Sequence, residues 1–147
     1  WIMGMHLESL GVRMERHCAN ALKVAQWLSA DPRVSWVSFP GLEGDKYHAL
    51  AEKYMPNGTC GVISFGVPGG REKVSAFLDH LKMVSIATHV ADARSCTLYP
   101  AGTTHRQLTE EQLIEAGVGI DLVRLSCGIE NADDIIADLD QALAAVQ

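Results

Sequence analysis

The sequence contains no long apolar run and no excess of positive charge. No stretch approaches the roughly 20 apolar residues that span a bilayer, and no basic-then-apolar signal segment follows Trp1. The formal net charge is −6, which argues against a nucleic-acid or anionic-membrane surface. We therefore expect no nucleic acid and no membrane among the partners.

Cysteines are few, and none of them is paired in sequence. Cys18, Cys60, Cys96 and Cys127 lie far apart without a CxxC motif, which is typical of reduced thiols in the cytoplasm rather than of a disulfide framework. We do not expect Cys96 or Cys127 to act as a nucleophile, because a cysteine among apolar neighbours on a strand usually packs in the core.

Recognisable metal, nucleotide and hydrolase motifs are also missing. The six histidines form no HxxxH, HExxH or Cys/His cluster, so no metal site is predicted. The glycines form neither GxGxxG nor a P-loop, and no GxSxG elbow occurs. No catalytic residue can therefore be assigned in this chain from a local motif.

An ordinary globular composition is present instead: 147 residues, 48% hydrophobic and 20% charged. This length suits one domain, over residues 1–147. Apolar residues at three- and four-residue spacing predict a long amphipathic helix over 4–29, which Asp31-Pro32 would end. Because the chain starts at Trp1 and enters this helix at once, we expect a piece of a longer protein.

Further along, short strands and helices alternate. Strands are predicted at 34–39, 60–67, 84–87 and 95–99 and around Arg124, and helices at 45–54 and 71–82. Thr109 and Gln112 have capping-box spacing, with Gly117 ending that helix, and Asn131 caps a last helix. This order predicts an α+β fold, a small mixed or antiparallel sheet covered by helices.

Arg124 interrupts the alternating apolar run 122–130 inside a predicted strand. Burying an arginine is costly unless its guanidinium has an anionic partner, and its planar fork suits a carboxylate. One interpretation is that Arg124 holds the carboxylate of a small acid. The other is a structural ion pair with an Asp or Glu of this chain. If the strands of Ser95 and Arg124 are neighbours, both residues and Thr104 can converge on one pocket.

Four motifs occur in order and together resemble the Cys/Met-metabolism family of pyridoxal-phosphate enzymes. They are Met14-Glu15-Arg16-His17, Asp92-Ala93-Arg94-Ser95, Pro100-Ala101-Gly102-Thr103-Thr104-His105, and Arg124-Leu125-Ser126-Cys127-Gly128-Ile129-Glu130. The resemblance covers essentially the whole chain. Within the family, the chain is most similar to the O-acetylhomoserine sulfhydrylases.

The resemblance implies a C-terminal domain of a fold type I enzyme, with 4–29 as the interdomain connecting helix. Arg124 would bind the substrate α-carboxylate, Ser95 would help to position it, and Arg94 and Thr104 would border the pocket. The implied reaction is γ-replacement, in which O-acetyl-L-homoserine and sulfide give L-homocysteine and acetate. Pyridoxal 5'-phosphate would be bound mainly by an upstream domain, and the full-length enzyme would be a homotetramer.

The chain also departs from the family pattern. His89 stands where asparagine is common, Ala91 where glycine is common, and Gly102 where serine is common. None of the lysines lies in the S-x-[TS]-K setting of the cofactor lysine, so the 147 residues alone should be inactive. The alternatives are a γ-lyase-type member of the family, a stand-alone amino-acid-binding or regulatory module, and an interaction domain that uses the long helix.

Overall fold

A five-stranded sheet lies at the centre of the structure, a computed structural model that describes every residue from Trp1 to Gln147. The strands are β1 (Val37–Ser38), β2 (Val62–Gly66), β3 (Ser85–Ile86), β4 (Cys96–Leu98) and β5 (Leu122–Ser126). The helices are α1 (Ile2–Glu8), α2 (Leu10–Ala30), α3 (His48–Tyr54), α4 (Gly70–Asp79), α5 (Glu110–Glu115) and α6 (Ala132–Ala144).

The strands are arranged in the order β1-β2-β5-β4-β3, with β5 at the centre. All neighbouring pairs are antiparallel except β3 and β4, which are parallel. The predicted α+β fold with a small mixed sheet is therefore confirmed.

One face of the sheet, which we call the inner face, is covered by α2, α4 and α6. Phe65 and Val123 on this face belong to the same buried cluster as Val24 of α2, Phe77 of α4 and Leu139 of α6. The rings of Phe65 and Phe77 meet edge to face, with centroids 6.1 Å apart, an arrangement that aromatic pairs favour. The opposite face, the outer face, lacks this helical cover.

The predicted helix caps are present. The Thr109 hydroxyl accepts a hydrogen bond from the Gln112 backbone N–H, and the Gln112 side chain accepts one from the Thr109 N–H, which completes a capping box. Gly117 has a φ of +69°, the left-handed conformation that suits glycine after a helix. Asn131 Oδ1 accepts from the Asp133 N–H at 3.0 Å.

The single helix predicted over 4–29 is wrong in one respect, because two helices meet there at Ser9. Ser9 has φ −101° and ψ 4°, outside the helical range. Arg13 bridges the break by donating to the Ser9 hydroxyl at 3.2 Å and to the His6 carbonyl at 2.7 Å. No residue of α1 is buried, so no packing holds the two segments in line.

Strands and helices are shorter than their apolar patterns predict. The strand predicted at 34–39 is regular only at Val37–Ser38, because the backbones of Ser35 and Trp36 both bond to Gly66, which interrupts the one-to-one pairing with β2. The helix predicted from 45 begins at His48, because Asp45 accepts the Tyr47 N–H instead. None of the helices has the length and hydropathy that crossing a bilayer requires.

Candidate functional site

The Arg124 side chain lies on the outer face of the central strand. Its neighbours along the chain, Val123 and Leu125, are fully buried in the core, and side chains alternate between the two faces of a strand. Ser64 of β2 and Leu98 of β4 stand directly opposite Arg124 in the register. The alternation predicted from the sequence therefore separates Arg124 from the core.

The connection between β3 and β4, residues 87–95, reaches the Arg124 side chain. Arg124 Nη2 donates a hydrogen bond to the Thr88 carbonyl at 2.9 Å. Two residues along β5, the Ser126 hydroxyl accepts from the Ala91 N–H at 3.0 Å. The connection therefore forms a wall beside the guanidinium, and we call residues 88–95 the site wall.

The guanidinium of Arg124 has no anionic partner within the chain. None of the salt bridges includes it, and its Nε is buried without a hydrogen-bond partner. A structural ion pair, the alternative interpretation of this residue, is therefore excluded. A half-buried guanidinium with unused donors is suited to bind an anion through charge-assisted hydrogen bonds.

Ser95 lies close in the chain to this site, but its side chain belongs to the other face. Thr97 pairs with Leu125, so Ser95, two residues before Thr97, shares the inner side. Ser95 is 0% exposed. Its hydroxyl donates to Glu130 Oε2 at 2.9 Å and accepts from the Gly128 N–H at 2.8 Å. The Ser95 hydroxyl is therefore engaged by Gly128 and Glu130 and makes no hydrogen bond with the Arg124 guanidinium.

Arg94 and Thr104 are both exposed. Arg94 donates its backbone N–H to Asp92 Oδ1 at 3.1 Å, and its Nε lies 3.9 Å from the same oxygen. The Arg94 backbone bond lowers the pKa of the Asp92 carboxyl, and the His89 side chain adds to this shift. Thr104 Oγ1 lies 2.9 Å from His105 Nδ1. Neither residue contacts Arg124 by a hydrogen bond.

Ala91 stands where the resemblance leads us to expect glycine. Its φ is +57°, the left-handed region that costs an L-residue free energy and that glycine adopts readily. This backbone conformation would suit the expected glycine better than the alanine that is present. It also places a strained residue in the site wall, next to its hydrogen bond with Ser126.

The thiols of Cys96, in β4, and Cys127, just after β5, are unsuited to nucleophilic chemistry. Burial raises the pKa of the Cys127 thiol to about 12, and the charge of Glu130 adds to the effect. Burial also raises the pKa of the Cys96 thiol. Because of the raised pKa values, both thiols stay protonated at neutral pH. Since the thiolate is the reactive form, these cysteines serve packing.

The lysines lie at the surface, and the His, Cys, Asp and Glu side chains form no metal-binding group. All five lysines are exposed (Lys23, Lys46, Lys53, Lys73 and Lys82). Lys23 pairs with Asp133, and Lys46 and Lys53 lie over neighbouring tyrosine rings. No group of three or more His, Cys, Asp or Glu side chains is placed to hold a metal ion.

Sequence reasoning missed three groups around the site. The Thr88 carbonyl is a backbone atom and has no sequence signal. Glu130 was part of a motif, but its contact with Ser95 depends on the pairing of distant strands. Asn20 is buried three residues after His17 on α2, and this helical spacing next to the Met14–His17 motif could have indicated a shared polar face.

The fold and the site together define an α+β domain whose central strand carries a half-buried arginine without an anionic partner in the chain. The chain belongs to the Cys/Met metabolism PLP-dependent enzyme family, whose model matches residues 1–144. The resemblance inferred from the four motifs is thereby confirmed.

Several relatives cover nearly all of this chain. An O-acetyl-L-homoserine sulfhydrylase of Leptospira meyeri is 46% identical over 97% of the chain and 33% of its own length. A homocysteine synthase of Schizosaccharomyces pombe is 50% identical over 93% of the chain and 32% of its own length. The chain thus spans about a third of the length of these curated relatives.

A solved structure has the same fold. It is described as an O-acetylhomoserine (thiol)-lyase of Campylobacter jejuni with a pyridoxyl-lysine phosphate adduct. It matches with a TM-score of 0.87 and 41% identity, over 94% of this chain and 33% of that one.

Proposed function

We propose that this chain is the substrate-side, C-terminal domain of a pyridoxal-phosphate-dependent sulfhydrylase. The reaction is γ-replacement: sulfide displaces acetate from O-acetyl-L-homoserine and L-homocysteine forms. The names of the relatives and the family of the chain support this assignment. The remaining two-thirds of the relatives' length would carry the cofactor, because no lysine of this chain lies in the setting that the family's cofactor lysine requires.

The observation that carries the proposal is the guanidinium of Arg124, which has no anionic partner in the chain. An α-carboxylate can accept two parallel hydrogen bonds from such a group, which fixes the amino acid in orientation as well as in position. When bound, pyridoxal phosphate supplies the electron sink for the chemistry. The part of this chain is to hold the substrate so that its reacting bonds meet that cofactor.

The other predicted site residues have supporting positions in this proposal. Ser95 helps to position the carboxylate indirectly, because its hydroxyl holds Gly128 and Glu130 beyond the end of β5. Arg94 and Thr104 border the pocket from exposed segments. We further propose that α2, with α1, connects this domain to the rest of a cytoplasmic homotetramer.

The decisive experiment replaces Arg124 in the full-length protein. Arg124→Ala removes both charge-assisted hydrogen bonds to the carboxylate, each worth roughly 1.5–3 kcal/mol, so we expect KM for O-acetyl-L-homoserine to rise roughly 100-fold or more. Arg124→Lys keeps the charge but loses the planar guanidinium, so its KM should lie between those of Arg124→Ala and the parent. Cofactor absorbance should be unchanged in both variants.

Lys73→Ala is the matched control, because it removes one positive charge from an exposed position on α4. Its KM should equal that of the parent enzyme. An unchanged KM in Arg124→Ala would remove Arg124 from the site. Acetate release without homocysteine would instead indicate a γ-lyase-type reaction.

A further inference from the structure

Two buried polar side chains interrupt the apolar face of α2. His17 is 1% exposed and Asn20 is 3% exposed, on the same face as the fully buried Ala21 and Val24. An apolar residue at either position would have extended the core without the cost of burying polar atoms. Their presence requires polar partners across the helix interface.

Those partners are backbone carbonyls of the segment that follows β5, residues 127–130, which we call the exit loop. His17 Nδ1 donates to the Cys127 carbonyl at 2.6 Å. Asn20 Nδ2 donates to the Gly128 carbonyl at 2.9 Å and to the Glu130 carbonyl at 2.7 Å. Two side chains of α2 therefore hold three backbone carbonyls of the exit loop.

The imidazole of His17 acts through only one of its nitrogens. Donation to the Cys127 carbonyl requires the proton on Nδ1, and Nε2 is buried without a hydrogen-bond partner. An unpaired buried nitrogen is a cost to the fold. The only polar contact that the His17 ring makes is therefore the hydrogen bond from Nδ1 to the Cys127 carbonyl.

The exit loop in turn holds the site wall. The Gly128 N–H donates to the Ser95 hydroxyl at 2.8 Å, and the Ile129 N–H donates to the Ala93 carbonyl at 2.9 Å. Glu130 Oε1 accepts the Ser95 N–H at 2.6 Å. The two segments touch so closely that a Cβ added at Gly128 would lie 2.5 Å from the Ser95 nitrogen, so a displaced exit loop displaces the wall.

The site wall needs this support because it contains the strained Ala91 and the carbonyl of Thr88 that orients Arg124. A residue held in the left-handed region persists only when its surroundings over-determine it. The Ser126 hydroxyl anchors one point of the wall, at the Ala91 N–H. The exit loop anchors a second point, at Ala93 and Ser95.

We propose that His17 and Asn20 of α2 are positioning residues for the Arg124 site, because they fix the exit loop that fixes the site wall. This inference rests on the proposed function, and it adds that the helix assigned as interdomain connector also sets the geometry of the carboxylate site. Neither residue touches the substrate. Their effect reaches it through the wall beside the guanidinium.

The test uses paired substitutions at His17 in the full-length protein. The side-chain amide of asparagine can place a donor where Nδ1 stands, whereas glutamine places it where Nε2 stands. His17→Asn should therefore keep the bond to the Cys127 carbonyl and His17→Gln should lose it. Asn20→Ala removes both donors of the second contact. Val24→Ala is the control. It also shortens a buried side chain of α2, but the Val24 side chain makes no hydrogen bond with the exit loop.

Two quantities are measured for each variant: KM and kcat with O-acetyl-L-homoserine and sulfide, and backbone hydrogen exchange over residues 88–95. We expect His17→Gln and Asn20→Ala to raise KM by about 3- to 10-fold, the size expected for one lost hydrogen bond, with kcat nearly unchanged. Exchange in the site wall should become faster in both. His17→Asn and Val24→Ala should keep the parent KM and the parent exchange rates.

If His17→Gln and Asn20→Ala lose stability as Val24→Ala does, but leave KM and wall exchange unchanged, the two residues are only structural and the inference is wrong. Arg124→Ala, measured alongside, separates the role of Arg124 in the site from the positioning role of the α2 residues. A raised KM there with no change in the α2 variants rejects only the positioning role. An unchanged KM in Arg124→Ala removes Arg124 from the carboxylate site and rejects the inference with it, whereas a parent enzyme that forms no homocysteine rejects the proposed function.

Discussion

The two faces of the sheet use the same strands for different purposes. On the inner face, Ile63, Phe65, Val123 and Leu125 are all fully buried against helices. On the outer face, Ser64 and Leu98 stand beside Arg124, and the cover is a loop rather than a helix. The inner face is stabilised by apolar area, whereas the outer face presents a charge with unused donors.

This difference shows how one short strand supplies both core and site. Because side chains alternate along β5, residues 123 and 125 take part in the core while the side chain of residue 124 stays outside it. A shift of one residue in register would exchange the two sets. The position of the site is therefore specified by the same apolar pattern that specifies the core.

The largest expected effect separates two adjacent residues of β5. Leu125→Ala empties a site in the core and should lower the free energy of unfolding by about 2–5 kcal/mol. Arg124→Leu should change it by no more than about 1 kcal/mol, because Arg124 has no ion pair and only one hydrogen bond. Chemical denaturation of both variants measures the contrast, and equal losses would contradict the division between the faces.

A smaller effect concerns a carboxylate that fastens α6 to the chain before β3. Asp138 accepts the backbone N–H groups of Lys82, Met83 and Val84. Burial raises the pKa of the Asp138 carboxyl, but these three donors and Gln141 lower it by more, so the pKa is lowered overall. Asp138→Asn should cost about 1.5–3 kcal/mol at neutral pH.

The pH dependence has a definite sign. Because the folded-state pKa of Asp138 is lowered, its contribution is present above the unfolded-state value of about 3.9 and is lost as the pH falls through the folded-state value. The stability gap between parent and Asp138→Asn should shrink in acid when unfolding is measured by urea from pH 7 to pH 3. Asp134→Asn, exposed on the same helix, should cost at most about 1 kcal/mol. A gap that is constant with pH would argue against the ionised carboxylate.

The smallest effect belongs to the outer side. Ala91→Gly relieves the positive φ but increases the freedom of the unfolded chain, so we expect a net stabilisation of only about 0.5 kcal/mol. Ala93→Gly is the matched control, since Ala93 is exposed and its φ is not positive, and it should destabilise slightly. Thermal unfolding measures the stability of both variants. A loss of stability in Ala91→Gly equal to that in Ala93→Gly would show that Ala91 is not strained.

Local patterns predicted the parts of this fold that depend on local forces. The Thr109–Gln112 capping box, the Asn131 cap and the apolar alternation around Arg124 each involve residues a few positions apart, and each is found in the structure. The break at Ser9 was not predicted, because the apolar spacing continues through it. The contacts of Arg13 with Ser9 and His6 across the break are polar and leave no mark on that spacing.

The candidate site was predicted only in part, for a non-local reason. The proposed neighbourhood of the strands of Ser95 and Arg124 is correct, since β4 and β5 pair. Which face Ser95 takes depends on the register between strands that lie far apart in sequence, and no local pattern contains that register. The contacts of His17 and Asn20 with the exit loop span more than 100 residues, so local sequence patterns could not predict them either.

The outermost strands, β1 and β3, are each two residues long, whereas the central β5 has five. A sheet edge exposes unpaired backbone groups to which another chain can add. Here each border offers too little backbone for a stable intermolecular ladder. The tapering of the sheet from centre to border thus gives the domain a built-in protection against strand-to-strand aggregation.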